Sequence, residues 1–208
     1  KTTRPIASSD EYGLFLRGVL KENRLSSESI KMISMCSVVP DAIYSIRSSC
    51  IKYFDINPFQ LQAGNRTGLK IKHNNPQDIG VDRIASAIAG IELFPDKNFI
   101  IIDFGTATTF CVVSKKKEYL GGIILPGLRI SMETLQQKTA KLKSVEIKVC
   151  DHVVGKITTE SLQSGLYFGH IGIINEIKYR IAKEMFPGEI PFALGTGGFS
   201  GYLKILTY

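Results

Sequence analysis

"FIIIDFGTATTF", residues 99–110, is the stretch from which the rest of the chain is read. Ile100, Ile101 and Ile102 suit a strand buried on both faces, because such a strand needs apolar side chains at every position rather than at alternate ones. Asp103 ends the apolar run, and Gly105 permits a tight backbone turn. A carboxylate thus arrives at the exposed end of a rigid strand. Thr106, Thr108 and Thr109 follow as hydroxyl donors beside free backbone N–H groups, and Phe110–Val113 predicts a second strand. A turn of this composition can cradle a phosphate while the acid holds a cation or water beside it. Taken alone, Asp-x-Gly-Thr reads first as the polar turn of a buried hairpin, so its neighbours in the chain decide its meaning.

Composition narrows the classes. The 208 residues are 44% hydrophobic and 22% charged, as in an ordinary globular protein with room for one large domain or two small ones. No apolar run is long enough to span a bilayer and Lys1 onward carries no signal-peptide pattern, so the expected location is cytoplasmic. The net charge is +7, but the basic residues are scattered and no aromatic residues alternate with them, which argues against nucleic acid as a partner. Lys115–Lys117 reads as a solvated hairpin turn, and an anionic small substrate accounts for the positive balance equally well. Cys36, Cys50, Cys111 and Cys150 lack CxxC spacing and mostly sit in apolar surroundings, which fits free thiols rather than a metal site.

Helix and strand signals alternate along the chain, which predicts an α/β fold. Ser8-x-x-Glu11 is a capping-box pattern, followed by Tyr12, Phe15, Leu16, Val19 and Leu20 at helical spacing. Ile30–Val39 predicts a strand stopped at Pro40, Ile43–Phe54 a helix and Phe59–Leu61 a short strand. A polar loop leads to a helix carrying Arg83, Ile84, Ala87, Ile88 and Ile91, so Asp82 and Arg83 fall in its opening turn, beside the free N–H groups of the helix terminus. Glu118–Leu125 predicts a strand, Leu128–Leu135 a helix, and Val145–Val149 a further strand. A long helix follows from Thr158 to Met185, with an apolar stripe of Leu162, Leu166, Ile173, Ile177 and Ile181. Gly165, Gly169 and Gly172 sit at near-helical spacing there and suggest close backbone approach, either to a partner subunit or within the chain. "FALGTGGFS" closes the pattern as a strand opening into glycines without dinucleotide-fingerprint spacing.

Five motifs in order, "GVDR" (80–83), "DFGTATTF" (103–110), "YLGGIILPGL" (119–128), "GKITTESLQSG" (155–165) and "GTGG" (195–198), resemble the type III pantothenate kinases over nearly the whole chain. The resemblance implies the superfold of actin, sugar kinases and heat-shock ATPases: two RNase H-like halves with the nucleotide in the cleft between them. The halves are expected at residues 1–95 and 96–208, with the last few residues packing back on the first. The implied reaction is ATP-dependent phosphorylation of pantothenate in a homodimer, with Mg2+ and a monovalent cation, K+ or NH4+, as cofactors. By resemblance, Asp82 is the catalytic base, and Gly80, Val81, Asp82 and Arg83 form the pantothenate loop. Thr158 reaches pantothenate across a dimer interface, Asp103 holds the monovalent cation, and Gly105, Thr106 and Gly197 contact ATP. Such roles suit phosphoryl transfer, which needs positioning and charge neutralisation more than covalent chemistry.

Two positions depart from the family pattern. His73 stands seven residues before Gly80, where the family usually has a substrate-contacting tyrosine, and is a candidate substrate contact as a hydrogen-bond donor. Ile157 stands where asparagine is common. The family also opens with a strand and a "DIGNT"-type phosphate loop to which nothing here corresponds. The expectation is therefore that an N-terminal segment precedes Lys1 and that a loop is missing after Ser200. Two further readings stay open: a catalytically inactive, nucleotide-binding accessory factor or transcriptional regulator of the same family, and a related small-molecule kinase with a different acceptor.

Overall fold

The computed structural model describes residues 7–62 and 64–201 and has the α/β architecture that the alternation predicts. Two compact units are present: the described residues of 1–67 with 75–85, and 68–74 with the described residues from 86 onward.

In the first unit, α1 (Ser9–Glu22) begins with the capping box written in its sequence. The Glu11 amide donates to Ser8 Oγ at 3.2 Å and the Ser8 amide to Glu11 Oε2 at 2.8 Å, so two of the otherwise orphan donors at a helix start are satisfied. α2 (Pro40–Phe54) packs on α1 with the Tyr53 ring lying where a Cβ on Gly13 would be. Tyr53 and Lys52 both donate to Asp10 Oδ1, at 2.9 and 2.6 Å. The strand expected over 30–39 is much shorter: only β1 (Ser34–Met35) pairs, parallel to β2 (Phe59–Gln60). Serine chemistry is the reason. Ser26 Oγ accepts from the Glu28 amide to start a 3₁₀ turn, and Ser37 Oγ accepts from the Val39 amide, so local side-chain bonds replace the ladder at both ends.

The second unit is built on a five-stranded mixed sheet. Its strands are β3 (Lys70–Ile71), β4 (Phe99–Phe104), β5 (Ala107–Ser114), β6 (Glu118–Pro126) and β7 (Phe192–Thr196), in the spatial order β3-β6-β5-β4-β7. β4, β5 and β6 form an antiparallel meander, while β7 runs parallel to β4. The triple-isoleucine strand is buried along its whole apolar run. Ile100, Ile102 and Phe104 of β4 join Phe110 and Val112 of β5 in one core. That core is closed by Leu128 of α4 (Leu128–Lys138) and by Leu166, Tyr167, Ile174 and Ile181 of α5 (Thr158–Met185). On β4's other face the Phe99 ring lies against Gly90 of α3 (Val81–Leu93). α3 is divided between the units, residues 81–85 going with the first and 86–93 with the second.

Two details differ from expectation. Along α5 the buried stripe runs through Tyr167, Ile174 and Ile181 at seven-residue intervals, and Ile173, one position off that line, is 43% exposed. Val145–Val149 is not a strand. An α5 side chain takes one of its backbone groups instead, Gln163 Nε2 donating to the Glu146 carbonyl at 3.0 Å, and farther on Ser164 Oγ donates to the Val153 carbonyl. The glycines of α5 do not serve packing among the described residues, since a Cβ on Gly165, Gly169 or Gly172 would meet nothing within 4 Å. All four cysteines are free thiols. Among the described residues, no helix is long and apolar enough to cross a membrane.

Candidate active site

Strand alternation sets the first cluster. Because Ile102 and Phe104 point into the core, Asp103 between them points to the opposite face, in register with Thr109 of β5 and Thr196 of β7. The carboxylate stands at the carboxyl ends of the parallel strands β4 and β7, the edge at which open α/β sheets bind ligands. Glycines surround it. Asp103 Oδ1 is 3.5 Å from the place of a Cβ on Gly105 and occupies that of a Cβ on Gly197. Gly197 has φ +90°, in the left-handed region that glycine adopts without strain, and its backbone lies directly on Phe104. The Phe199 amide donates to the Phe104 carbonyl at 3.3 Å and the Ser200 amide to that of Gly197 at 3.1 Å, which folds the GTGG turn back over β4.

The Gly105–Thr106 turn is supported from a third side. Gly127, the residue before α4, donates its amide to the Thr106 carbonyl at 3.2 Å, and a Cβ there would run into the Gly105 and Thr106 carbonyls. α4 therefore starts against the turn. Gly127 was not among the sequence candidates, although a glycine between Pro126 and a predicted helix was the available signal. Asp103, Gly105, Thr106 and Gly197 are thus brought together by one sheet edge, with Thr106 exposed and Asp103 half-buried.

Gly80–Arg83 form a second cluster, in the first unit. Ile79 and Ile84, each 3% exposed, anchor the segment on either side and leave Asp82 exposed between them. The Gly80 carbonyl accepts from the amides of Arg83 at 3.0 Å and Ile84 at 3.3 Å, closing the first turn of α3. Asp82 Oδ1 accepts from the Arg83 amide at 2.9 Å, and the same oxygen sits where a Cβ on Gly80 would be. The carboxylate is aimed by a helix N-terminus, which favours its negative charge. Burial pushes the Cys36 thiol pKa up, and the nearby Asp82 charge pushes it further.

The remaining candidates stand elsewhere. His73 lies exposed in the loop after β3, in the residues 68–74 that belong to the second unit. Thr158 opens α5 with an exposed side chain. Ile157, at the cap position, provides no side-chain acceptor. Glu160 Oε2 accepts from the Lys156 amide at 2.8 Å instead, and Gly155 lies so close to the Glu160–Ser161 backbone that no side chain fits there. The expectation of an omitted loop after Ser200 falls in part on residues outside the described ones.

A family model described as type III pantothenate kinase matches residues 1–180. A type III pantothenate kinase of Legionella pneumophila (strain Corby) is 56% identical over 198 residues, covering 95% of this chain and 77% of that protein. Type III pantothenate kinase 1 of Francisella tularensis subsp. holarctica (strain OSU18) is 46% identical over 193 residues, covering 93% and 75%. Among solved structures, that of a Campylobacter jejuni protein described as a conserved Baf family transcriptional activator matches with a TM-score of 0.55. The identity is 18%, over 89% of this chain and 75% of that one, so the likeness is one of fold.

Proposed function

This chain belongs to the type III pantothenate kinase family, and from that membership we propose that it transfers the γ-phosphoryl group of ATP to the primary hydroxyl of pantothenate, the first step of coenzyme A biosynthesis. The observation that carries the reading is the match to the family over residues 1–180, with 56% identity to a named kinase.

In this reading Asp82 orients and deprotonates the acceptor hydroxyl. Its carboxylate is exposed and is held by the Arg83 amide, so it meets the substrate with little reorganisation. Arg83 pairs with the pantothenate carboxylate through its planar fork, His73 adds a hydrogen bond, and Thr158 contributes from a second copy of the chain. A homodimer is favoured by the open glycine face of α5 and by the exposed apolar side chains of Val153, Val154 and Ile157 near its start.

At the sheet edge, Gly105, Thr106 and Gly197 present backbone and hydroxyl groups to ATP. The half-buried Asp103 carboxylate, packed against Gly197 at the sheet edge, is the group that would hold a monovalent cation. A cation there would supply positive charge against the phosphates as negative charge shifts during transfer. The kinase family also implies a divalent metal; Mg2+ commonly enters such sites on the nucleotide phosphates with one or two protein carboxylates. We read residues 1–95 and 96–208 as the two RNase H-like halves of the actin-like superfold.

The test is ADP release with Mg2+ and ATP, comparing pantothenate with no acceptor, first in potassium and then in sodium buffer. Pantothenate-dependent turnover, faster in potassium, is the expected result. ATP binding without turnover in either buffer would overturn the reading.

A further inference from the structure

One exposed apolar side chain beside the proposed base has no part in the roles above. Val38 is 58% exposed, and its Cγ1 lies 3.6 Å from the place of a Cβ on Gly80, the same point that Asp82 Oδ1 occupies. A methyl group and the carboxylate oxygen are therefore neighbours across Gly80. The Val38 backbone is held on both sides. Ser37 Oγ accepts from the Val39 amide at 3.1 Å and donates to the Val39 carbonyl at 3.2 Å, and Val39 is kept extended by Pro40, which begins α2. Val38 therefore presents a fixed apolar wall beside the carboxylate.

Such a wall has a matching feature in the acceptor. In pantothenate the carbon bearing the primary hydroxyl is bonded to a quaternary carbon carrying two methyl groups. Any pose that brings the hydroxyl within reach of Asp82 must place those methyls close by. Water beside them would be unfavourably ordered, whereas an apolar surface gains contact and removes that water.

Resting on the kinase reading above, we propose that Val38 is a specificity-determining residue that packs against the geminal dimethyl group of pantothenate and so sets its hydroxyl against Asp82. The contact discriminates acceptors that carry the methyl pair from those that lack it. A contact of one or two methyl groups is worth about 10- to 200-fold in kcat/KM.

The experiment measures kcat/KM of the full protein and of Val38→Ala and Val38→Thr with two acceptors, pantothenate and its analogue bearing hydrogens in place of both methyls. Val38→Thr keeps the side-chain shape and replaces one methyl with a hydroxyl, and an unchanged thermal midpoint checks that each variant is folded. The expected result is a loss of about 10-fold or more with pantothenate for both variants, a loss under about 2-fold with the analogue, and an unchanged KM for ATP. Equal losses on the two acceptors, or none on either, would overturn the role of Val38 while wild-type turnover of pantothenate still stands. No pantothenate turnover by the wild-type protein would overturn the kinase reading itself, and this inference with it.

Discussion

Oδ1 of Asp103 occupies the volume that a side chain on Gly197 would need. The carboxylate at the end of β4 and the glycine after β7 are complementary surfaces, held together by the parallel pairing of the two strands.

Replacing Gly197 with alanine should therefore act twice. The left-handed φ of +90° becomes strained and the new Cβ displaces the Asp103 carboxylate. We expect a loss of about 1–3 kcal/mol of stability and a higher potassium concentration for half-maximal activity. Thermal unfolding and a potassium titration of ADP release check the two effects; an unshifted potassium response would remove Asp103 from the cation site.

Asp82→Asn should lower kcat by about 100- to 10,000-fold while leaving ATP affinity within about 2-fold, since it removes a base and no part of the proposed nucleotide site. Single-turnover kinetics beside calorimetric ATP binding separates the two. Undiminished turnover would assign the base elsewhere.

The Thr108 hydroxyl is buried, with the residue 1% exposed, and has no hydrogen-bond partner among the described residues. Thr108 faces the core side of the sheet, opposite Phe104 and Leu125. Thr108→Val keeps the shape and removes the unsatisfied group, so it should stabilise the protein by about 1–3 kcal/mol. Denaturant titration reads this directly, and a destabilised variant would point to a buried water on the hydroxyl.

Glu189 joins two parts of the second unit through its carboxylate. It accepts from Lys115 Nζ at 2.9 Å and from Asn98 Nδ2 at 2.8 Å. The hydrogen bond from the Lys115 ammonium holds its carboxyl pKa below the usual carboxylate range, and the positive charge there and Asn98 act in the same direction. A carboxyl lowered in the folded state stabilises it above the unfolded pKa, and this contribution is lost as pH falls through the folded value. The thermal midpoint of wild type should exceed that of Glu189→Gln at pH 6 and converge on it at pH 3. Both side chains are about half exposed, so the gap at pH 6 should also shrink in high salt.

What was legible in the sequence was chemistry between near neighbours. The Ser8–Glu11 capping box forms as written, the Ile100–Ile102 run is the buried strand, and Thr158–Met185 is one helix, because each depends on residues a few positions apart. The motif residues likewise named the family before any contact was known. Val145–Val149 misled because apolar, β-branched residues suit both a strand and an irregular segment lying on a core. One of its backbone groups, the Glu146 carbonyl, is taken by Gln163 on a helix farther along.

The sequence by itself determined the helices, the central buried strand and the family, since these follow from local periodicity, capping and motif order. Only the tertiary structure decided that Gly197 lies on Asp103, that Gly127 supports the Gly105–Thr106 turn, and that Val38 stands beside Asp82 across Gly80. Those contacts join residues from separate strands and loops, and their register is set by sheet pairing and core packing, which no local pattern in the chain encodes.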